Sequence, residues 1–279
     1  FKKALGPAAR RQQARSWITA GDLSARAACY LASISRSYYK YQSSKKEDPF
    51  LIQAILEIKD KHPRLGYKKV ASLINRQGFN CNNKKAYRII KTLNMLVPRK
   101  IKKKKQFILK TENKFLVPTK ANDLWAIDFI SGALLDGRKF RCLTMVDTLT
   151  RIIPIIYAAF SMEAFVVVRI LEDLKKNGKI PKAIVLDNGP EFANHALVNW
   201  ANANGIKLHF IDPGKPTQNG FVESFNGKFR SEFLDQNVFS SMKDLQRKLK
   251  EWIHFYNTGR PHLSLDYLTP TEFEKTLSH

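Results

Sequence analysis

A chain of 279 residues with 44% apolar and 11% aromatic content has enough material for one sizeable core and one or two small units. It holds 48 Lys/Arg against 24 Asp/Glu, a net charge of +24, and the excess is one-sided: residues 1–120 hold 29 basic and 6 acidic side chains, residues 121–279 hold 19 and 18. No apolar run approaches the roughly 18 residues of a membrane span, no secretory leader is visible, and Cys29, Cys81 and Cys142 form neither a C-x-x-C pair nor a disulfide framework. The expectation is a reduced, intracellular protein without a membrane partner. Its first 120 residues meet a polyanion, with nucleic acid ahead of an anionic membrane surface. Phe at position 1 points to a trimmed chain or the downstream part of a longer product.

Residues 1–22 are basic with weak helical character. Ser24 and Ser35 are placed to cap two short helices joined by a tight turn, a helix-turn-helix pattern that offers Arg36, Ser37 and Tyr38 to a groove. A generic three-helix scaffold gives the same pattern. A second trihelical unit follows. Phe50, Ile52, Ile55 and Ile58 carry helical spacing, and Pro63 with Gly66 breaks the run. Val70, Leu73 and Ile74 share a face of the next helix, which Gly78 closes. Asn82 or Asn83 caps the third, with Tyr87, Ile89, Ile90 and Leu93 inward and Lys84, Lys85, Arg88 and Lys91 outward. That basic face suits groove or phosphate contact, and otherwise is a solvated surface. From Pro98 to Lys120 the chain is irregular and basic. Its run Lys102, Lys103, Lys104 and Lys105 repels itself, stays extended, and tracks phosphates or serves only as a solubilising linker.

After Lys120 the pattern is mixed. Strands are expected at 123–130, 139–147 and 151–160, with a turn at Asp136-Gly137. A helix at 162–177, a strand at 183–187, a helix from Pro190 to about Ala203, a strand at 207–211, and helices at 217–234 and 241–256 complete the order. This is the order of an RNase H-like fold: an α/β mixed sheet flanked by helices, preceded by small all-α helix-turn-helix domains. The expected division is 1–48, 49–97, a basic linker 98–120, a core 121–235, and a C-terminal helix and tail 236–279.

Three carboxylates draw the chemistry. Asp128 interrupts an apolar strand, where a carboxylate is costly without a cation or partner. Asp187 ends another strand, where an open α/β sheet forms its crevice. Glu223 lies 36 residues further on a helix. Phe221, Phe225, Phe229 and Phe233 recur every four residues, so Glu223 points roughly 160° away from that stripe and shares a face with Asn226 and Arg230. Two cations about 3.5–4 Å apart cut phosphodiesters, and hard carboxylate oxygens hold them. Competing acids are Asp147, Glu191 and Asp212. Lys215, Gln218 and Asn219, in a Gly/Pro loop before the Glu223 helix, either contact DNA near the cut or cap the helix.

The run Asp187-Asn188-Gly189-Pro190-Glu191-Phe192, followed by Pro213 through Gly227, resembles the catalytic core of bacterial insertion-sequence transposases of the OrfB type, with a retroviral-integrase-like DDE centre. Trp125-x-x-Asp128-Phe129 matches the first motif of that family, and Tyr256-Asn257-x-x-Arg260-Pro261-His262-x-x-Leu265 with Pro270 its C-terminal motif. The segment His62-Pro63-Arg64-x-Gly66-Tyr67 also resembles the unit before the core. The likeness spans residues 20–275. It implies that Asp128, Asp187 and Glu223 bind Mg²⁺ (or Mn²⁺) and that Arg230 contacts DNA. The implied reaction is 3′-end cleavage at the element's termini followed by attack of the freed 3′-OH on another phosphodiester. Double-stranded DNA, as terminal inverted repeats and target, is the implied partner, with a homo-oligomer of at least two chains in a bacterial, nucleoid-associated cytoplasmic setting. No heptad run is visible for multimerisation. His62 is the only histidine before His195, which excludes a His₂Cys₂ zinc domain of the retroviral kind. A structure-selective RNase H-like nuclease and a DNA-binding regulator with a degenerate core are the alternatives.

Overall fold

The computed structural model describes residues 6–41, 48–98, 117–189, 191–212 and 220–277. They gather into two compact units, Phe1–Pro49 and Phe50–His279. Lys102, Lys103, Lys104, Lys105, Lys215, Gln218 and Asn219 lie outside the described residues.

The first unit holds three helices, α1 (Pro7–Thr19), α2 (Ala25–Leu31) and α3 (Arg36–Lys40). Ser24 and Ser35 cap α2 and α3 by accepting from the amides of Ala27 and Tyr38. Small side chains, Ala14, Ala28 and Ala32, let the helices approach, and Trp17, Ile18, Leu23, Ile34 and Tyr39 close around them. Arg11 donates to the Tyr39 carbonyl at 3.0 Å and covers the Tyr38 ring at 5.3 Å. Tyr38 is thereby engaged within the unit, whereas Arg36 and Ser37 are exposed.

The second unit opens with α4 (Pro49–Lys61), α5 (Tyr67–Arg76) and α6 (Asn83–Thr92). The α4 stripe runs through Leu51, Ala54, Ile55 and Ile58, and Phe50 is 78% exposed instead of inward. Ile55 and Ile58 set the phase, and at 100° per residue Phe50 falls roughly 140° from Ile55. Gly78 takes φ +89° after α5, the left-handed closing position. Asn82 caps α6 through the Lys85 amide. Ala86, Ile89 and Ile90 face inward there, and Tyr87 sits at the rim, edge-on to Tyr67. This trihelical core also takes in Phe255 from the C-terminal region, where His62 stacks on Phe255 at 3.7 Å.

The sheet has the order β3-β2-β1-β4-β5, built from β1 (Leu124–Ala133), β2 (Lys139–Asp147), β3 (Ile156–Ala159), β4 (Ala183–Leu186) and β5 (Lys207–Phe210). The first three strands are antiparallel; β4 and β5 run parallel to β1. Helices α7 (Ala164–Lys176) and α8 (His195–Ala203) cover the face bearing Trp125, Ile127, Met145 and Ile184. The opposite face, with Ala126, Ile130, Cys142 and Val146, meets α9 (Gly220–Glu232) and α10 (Met242–Thr258). A short helix, α11 (Pro270–Thr276), follows a Thr269–Glu272 capping box.

Three boundaries differ from expectation, the first being β1, which runs on to Ala133 rather than ending at 130. β3 starts at Ile156 rather than 151, because Pro154 cannot donate to a ladder and Arg151 takes φ 66°. The Asn257 side chain instead satisfies both backbone groups of Ile153, at 3.0 Å each. α8 begins at His195, not near 190, since Asn194 caps it through the Leu197 amide and residues 191–194 turn back on Gly189. Among the described residues no helix is long and apolar enough to cross a membrane.

Candidate active site

Sheet register brings two of the predicted acids together. Ala126 of β1 pairs with Val185 of β4, so two residues further along each parallel strand stand Asp128 and Asp187. Strand alternation puts Asp128 between Ala126 and Ile130, on the face that α9 covers. On α9 the buried stripe is Val222, Phe225 and Phe229, continued by Phe233. Phe221 does not belong to it. That ring is 47% exposed, with the Arg151 guanidinium 4.4 Å from its centroid.

Asn226 supplies the link between helix and strand. Its Nδ2 donates to Asp128 Oδ2 at 2.8 Å, and its Oδ1 accepts from the Thr144 hydroxyl at 2.9 Å. Thr144 is fully buried on β2, directly across from Asp128, and its hydroxyl also lies 3.0 Å from the Asp128 carbonyl oxygen. Glu223 precedes Asn226 by three residues and is therefore its neighbour on the helix surface, where it is exposed. Burial raises the Asp128 pKa above the ordinary carboxylate range, and the nearby charges of Asp187 and Glu223 raise it further. The Phe129 amide, 2.7 Å from Oδ1, and the Asn226 amide oppose that rise. Asp187 and Glu223 thus both act on Asp128.

The Asp187 loop is folded onto its own carboxylate. The Gly189 amide donates to Asp187 Oδ1 at 2.9 Å, and a Cβ at Gly189 would sit 2.9 Å from that oxygen and 3.2 Å from Glu191 Oε2. A side chain there would push the Asp187 carboxylate out of this position. Glu191 pairs with Arg141 of β2, whose guanidinium lies 4.3 Å from the Phe129 ring centroid, and Phe129 stacks on Phe192 at 4.7 Å. The hydrogen bond from Arg141 holds the Glu191 carboxyl below the usual range. Glu191, a competing acid, is therefore occupied by a cation of the chain. Asp147 is occupied as well, accepting from the amides of Asn122, Leu149 and Thr150.

Whether these acids suit a metal rests on donor chemistry. Three carboxylates supply hard oxygen donors, which suit a divalent cation of the Mg²⁺ kind. Among the described residues, though, no three His, Cys, Asp or Glu side chains are drawn into a ready ligand cage.

The remaining predicted residues lie elsewhere. Arg230 is exposed, its Nη2 3.2 Å from the Ser131 carbonyl of β1. Lys84 and Arg88 are exposed on α6 and Lys85 is half-buried. The C-terminal motif is a buried clamp. Arg260, 1% exposed, donates to both Glu232 oxygens at 2.7 Å, and His262 Nε2 lies 3.1 Å from the Arg260 guanidinium and edge-on to Tyr256. Burial, then the charges of Arg260, Lys69 and Lys228, push the His262 pKa down to about 2, so this histidine is a neutral packing group. Sequence reasoning missed Thr144 and Arg141. Their only signal was polarity within apolar strands, Thr144 on the face of Asp128 and Arg141 on the other face, against Phe129 and Glu191.

A mixed five-stranded sheet flanked by helices and preceded by small helical units is an integrase-type core, of the class that handles DNA by nuclease or nucleotidyl-transfer chemistry. Residues 118–216 and 204–270 match the integrase core domain family, and residues 45–105 an HTH-like domain. The uncharacterized 31.7 kDa protein of insertion element IS407 from Burkholderia multivorans (strain ATCC 17616 / 249) is 36% identical over 253 residues, covering 90% of this chain and 91% of its own. The uncharacterized 39.2 kDa protein of insertion element IS476 from Xanthomonas euvesicatoria is 34% identical over 272 residues, 97% of this chain and 78% of its own. The chain belongs to the insertion-sequence transposase family, OrfB type, with an integrase core. A simian T-cell lymphotropic virus intasome, solved in complex with PP2A regulatory subunit B56 gamma, shares the fold at TM-score 0.52 and 16% identity over 79% of this chain and 74% of that one.

Proposed function

We propose that this chain is a DNA transposase that binds the ends of its insertion sequence and catalyses metal-dependent 3′-end cleavage and strand transfer. Asp128, Asp187 and Glu223 would hold the catalytic ions, Mg²⁺ with Mn²⁺ as substitute. The observation that carries this reading is the electrostatic convergence on Asp128, reached by Asp187 through strand register and by Glu223 through the Asn226 bond. Bound there, the ions supply activation of the attacking oxygen and neutralisation of the leaving one.

The chain's own side chains orient and exclude. Asn226 and the Phe129 amide fix both oxygens of Asp128. The Gly189 amide fixes Asp187. Arg141 neutralises Glu191, so a fourth carboxylate does not compete for the cation. Arg230, Lys215, Gln218 and Asn219 are assigned to DNA near the cut; Arg36, Lys84, Lys85 and Arg88 to the terminal repeats; and Lys102, Lys103, Lys104 and Lys105 to phosphates between them. The functional division is 1–48 and 49–97 for recognition, 98–120 as linker, 121–235 for chemistry, and 236–279 for support. Assembly is at least dimeric on two DNA ends, in the bacterial cytoplasm at the nucleoid.

The test incubates the protein with labelled element ends, target duplex and Mg²⁺. Nicked 3′ ends and joined products are expected. Hydrolysed ends without joined products would make it a nuclease. Folded, DNA-bound protein that cuts nothing would leave a DNA-binding regulator and sink the proposal.

A further inference from the structure

On the flank of α9 away from the predicted catalytic acids, several cations crowd around one carboxylate, Glu232. Lys228 lies two residues past Asn226 and so roughly 160° around the helix from it. It is half-buried, and Glu232, one turn further along the helix, acts on it as well as on Arg260 and Lys69. To one side stands Lys69 of α5, half-buried, its Nζ 3.6 Å from Glu232 Oε1. To the other stands Arg151, also half-buried, its guanidinium on the Phe221 ring and one nitrogen on the Thr148 carbonyl at 2.6 Å. Arg260 lies beneath and takes both oxygens of Glu232, which leaves Lys69 a distant share of an acid already satisfied. Asp147, the other acid near Arg151, is committed to three backbone amides.

The charges press on one another. Burial first, and then Arg260, lower the pKa of both Lys69 and Lys228, Lys69 to about 8. On α9, Phe221 under Arg151 and Glu232 beside Lys69 fall roughly 20° and 40° around the helix from Lys228, one before it and one after it, which sets Lys228 in the middle of a row. Partly desolvated cations that outnumber the one carboxylate among them are costly in a folded chain unless an anion from outside completes them. The row spans a helix of the trihelical unit, the Glu223 helix and the β2–β3 connection.

We infer that Lys69, Lys228 and Arg151 form a binding site for successive backbone phosphates of duplex DNA, on the opposite flank of α9 from the acids. The site rests on the reading that this chain binds DNA, and not on the chemistry assigned to the acids. It recognises phosphodiester oxygens without reading base sequence. It fixes how the duplex lies against α9, because one phosphate row is held on one flank while the helix presents Glu223 on the other.

Binding of a duplex oligonucleotide of arbitrary sequence, followed by fluorescence anisotropy between about 50 and 200 mM salt, tests the site. Each phosphate contact removed lowers the slope of log K against log salt by about 0.9, which is roughly eightfold in affinity near 0.1 M salt. That loss is expected for Lys228→Met and for Lys69→Gln, where Arg260 still satisfies Glu232. Thermal stability of the free Lys228→Met protein is expected to hold or rise, since repulsion with Arg260 and Arg151 is relieved. An unchanged slope in both variants would overturn the site. Stabilisation of the wild type by inorganic phosphate, lost in Lys228→Met with the slope unchanged, would assign it to a free anion and overturn the DNA assignment. A lowered slope in a protein that cleaves nothing keeps the site and sinks the proposed chemistry instead.

Discussion

Replacing Arg260 by Met removes the charge from a buried clamp and retains most of the side-chain stem. Glu232 is then left 12% exposed without its two 2.7 Å donors. Breaking a buried ion pair by deleting one partner costs about 3–5 kcal/mol. Lys69 remains 3.6 Å from Glu232 and offsets part of this, which places the expected loss near the lower end, about 3 kcal/mol. For a unit of this size that is roughly 6–12 °C in Tm. The pH response carries a sign. In the wild type the Glu232 pKa is lowered: burial opposes the shift, and the Arg260 hydrogen bond and charge outweigh it. Its contribution is therefore present above the unfolded carboxylate range and is lost as pH falls through the folded value. Without Arg260 burial gains the upper hand, the carboxyl shifts upward, and protonation relieves the variant. Urea denaturation at pH 7 and again near pH 4.5 should show the deficit shrinking in acid. The double variant Arg260→Met/Glu232→Leu should recover most of the loss at pH 7. A single-variant loss under about 1 kcal/mol, or a double variant as unstable as the single, would refute the clamp.

Asp187→Asn should abolish cleavage and joining while DNA affinity stays within about twofold, measured by gel cleavage and anisotropy on one preparation; retained cleavage would remove Asp187 from the site. Asn226→Ala deletes the bond that fixes Asp128, and cleavage is expected to fall about 10–100-fold, the usual effect of losing a partner that orients a metal ligand, with higher Mg²⁺ restoring part of it. Activity within twofold of wild type would deny Asn226 that role. His262 is neutral when folded because burial and the charge of Arg260 push it down to about 2, while the unfolded imidazole titrates near its ordinary value. Its contribution is complete above about pH 6.5 and declines below it, by about 2 kcal/mol at pH 5. The stability difference between pH 7 and pH 5 should therefore be smaller in His262→Gln, and an equal difference in both proteins would count against a buried neutral histidine.

What the sequence disclosed follows local physics. The caps at Ser24, Ser35 and Asn82 and the closing glycine at Gly78 are short-range devices whose partners lie within a few residues. The strand runs around Asp128 and Asp187 are likewise readable from apolar continuity, and their neighbourhood then follows from parallel pairing. What stayed hidden depends on partners distant in the chain. Phe221 completes a perfect four-residue repeat, yet it faces outward, because the sheet meets Val222 and the ring is held by Arg151. Phe50 likewise yields to Leu51 once the second unit fixes the phase of α4. The 151–160 run is apolar enough for one long strand, but Pro154 and the reach of Asn257 from α10 shorten it. Thr144 carries no motif at all and acquires its role only opposite Asp128.

α9 explains why residues so far apart in sequence belong to one device. Its first turn carries Glu223, its middle is tied to β1 and β2 through Asn226, and its last turn is held by Arg260 through Glu232. A helix is stiff over such a length, so a tilt at Glu232 is transmitted to Glu223 rather than absorbed between them. The clamp from the C-terminal motif thereby sets the position of an acid about 13 Å away along the axis, at 1.5 Å per residue. Loss of Arg260 should then lower cleavage more than it lowers DNA affinity, even at temperatures where the variant is fully folded. Cleavage per bound DNA equal to wild type under those conditions would confine the motif to stability alone.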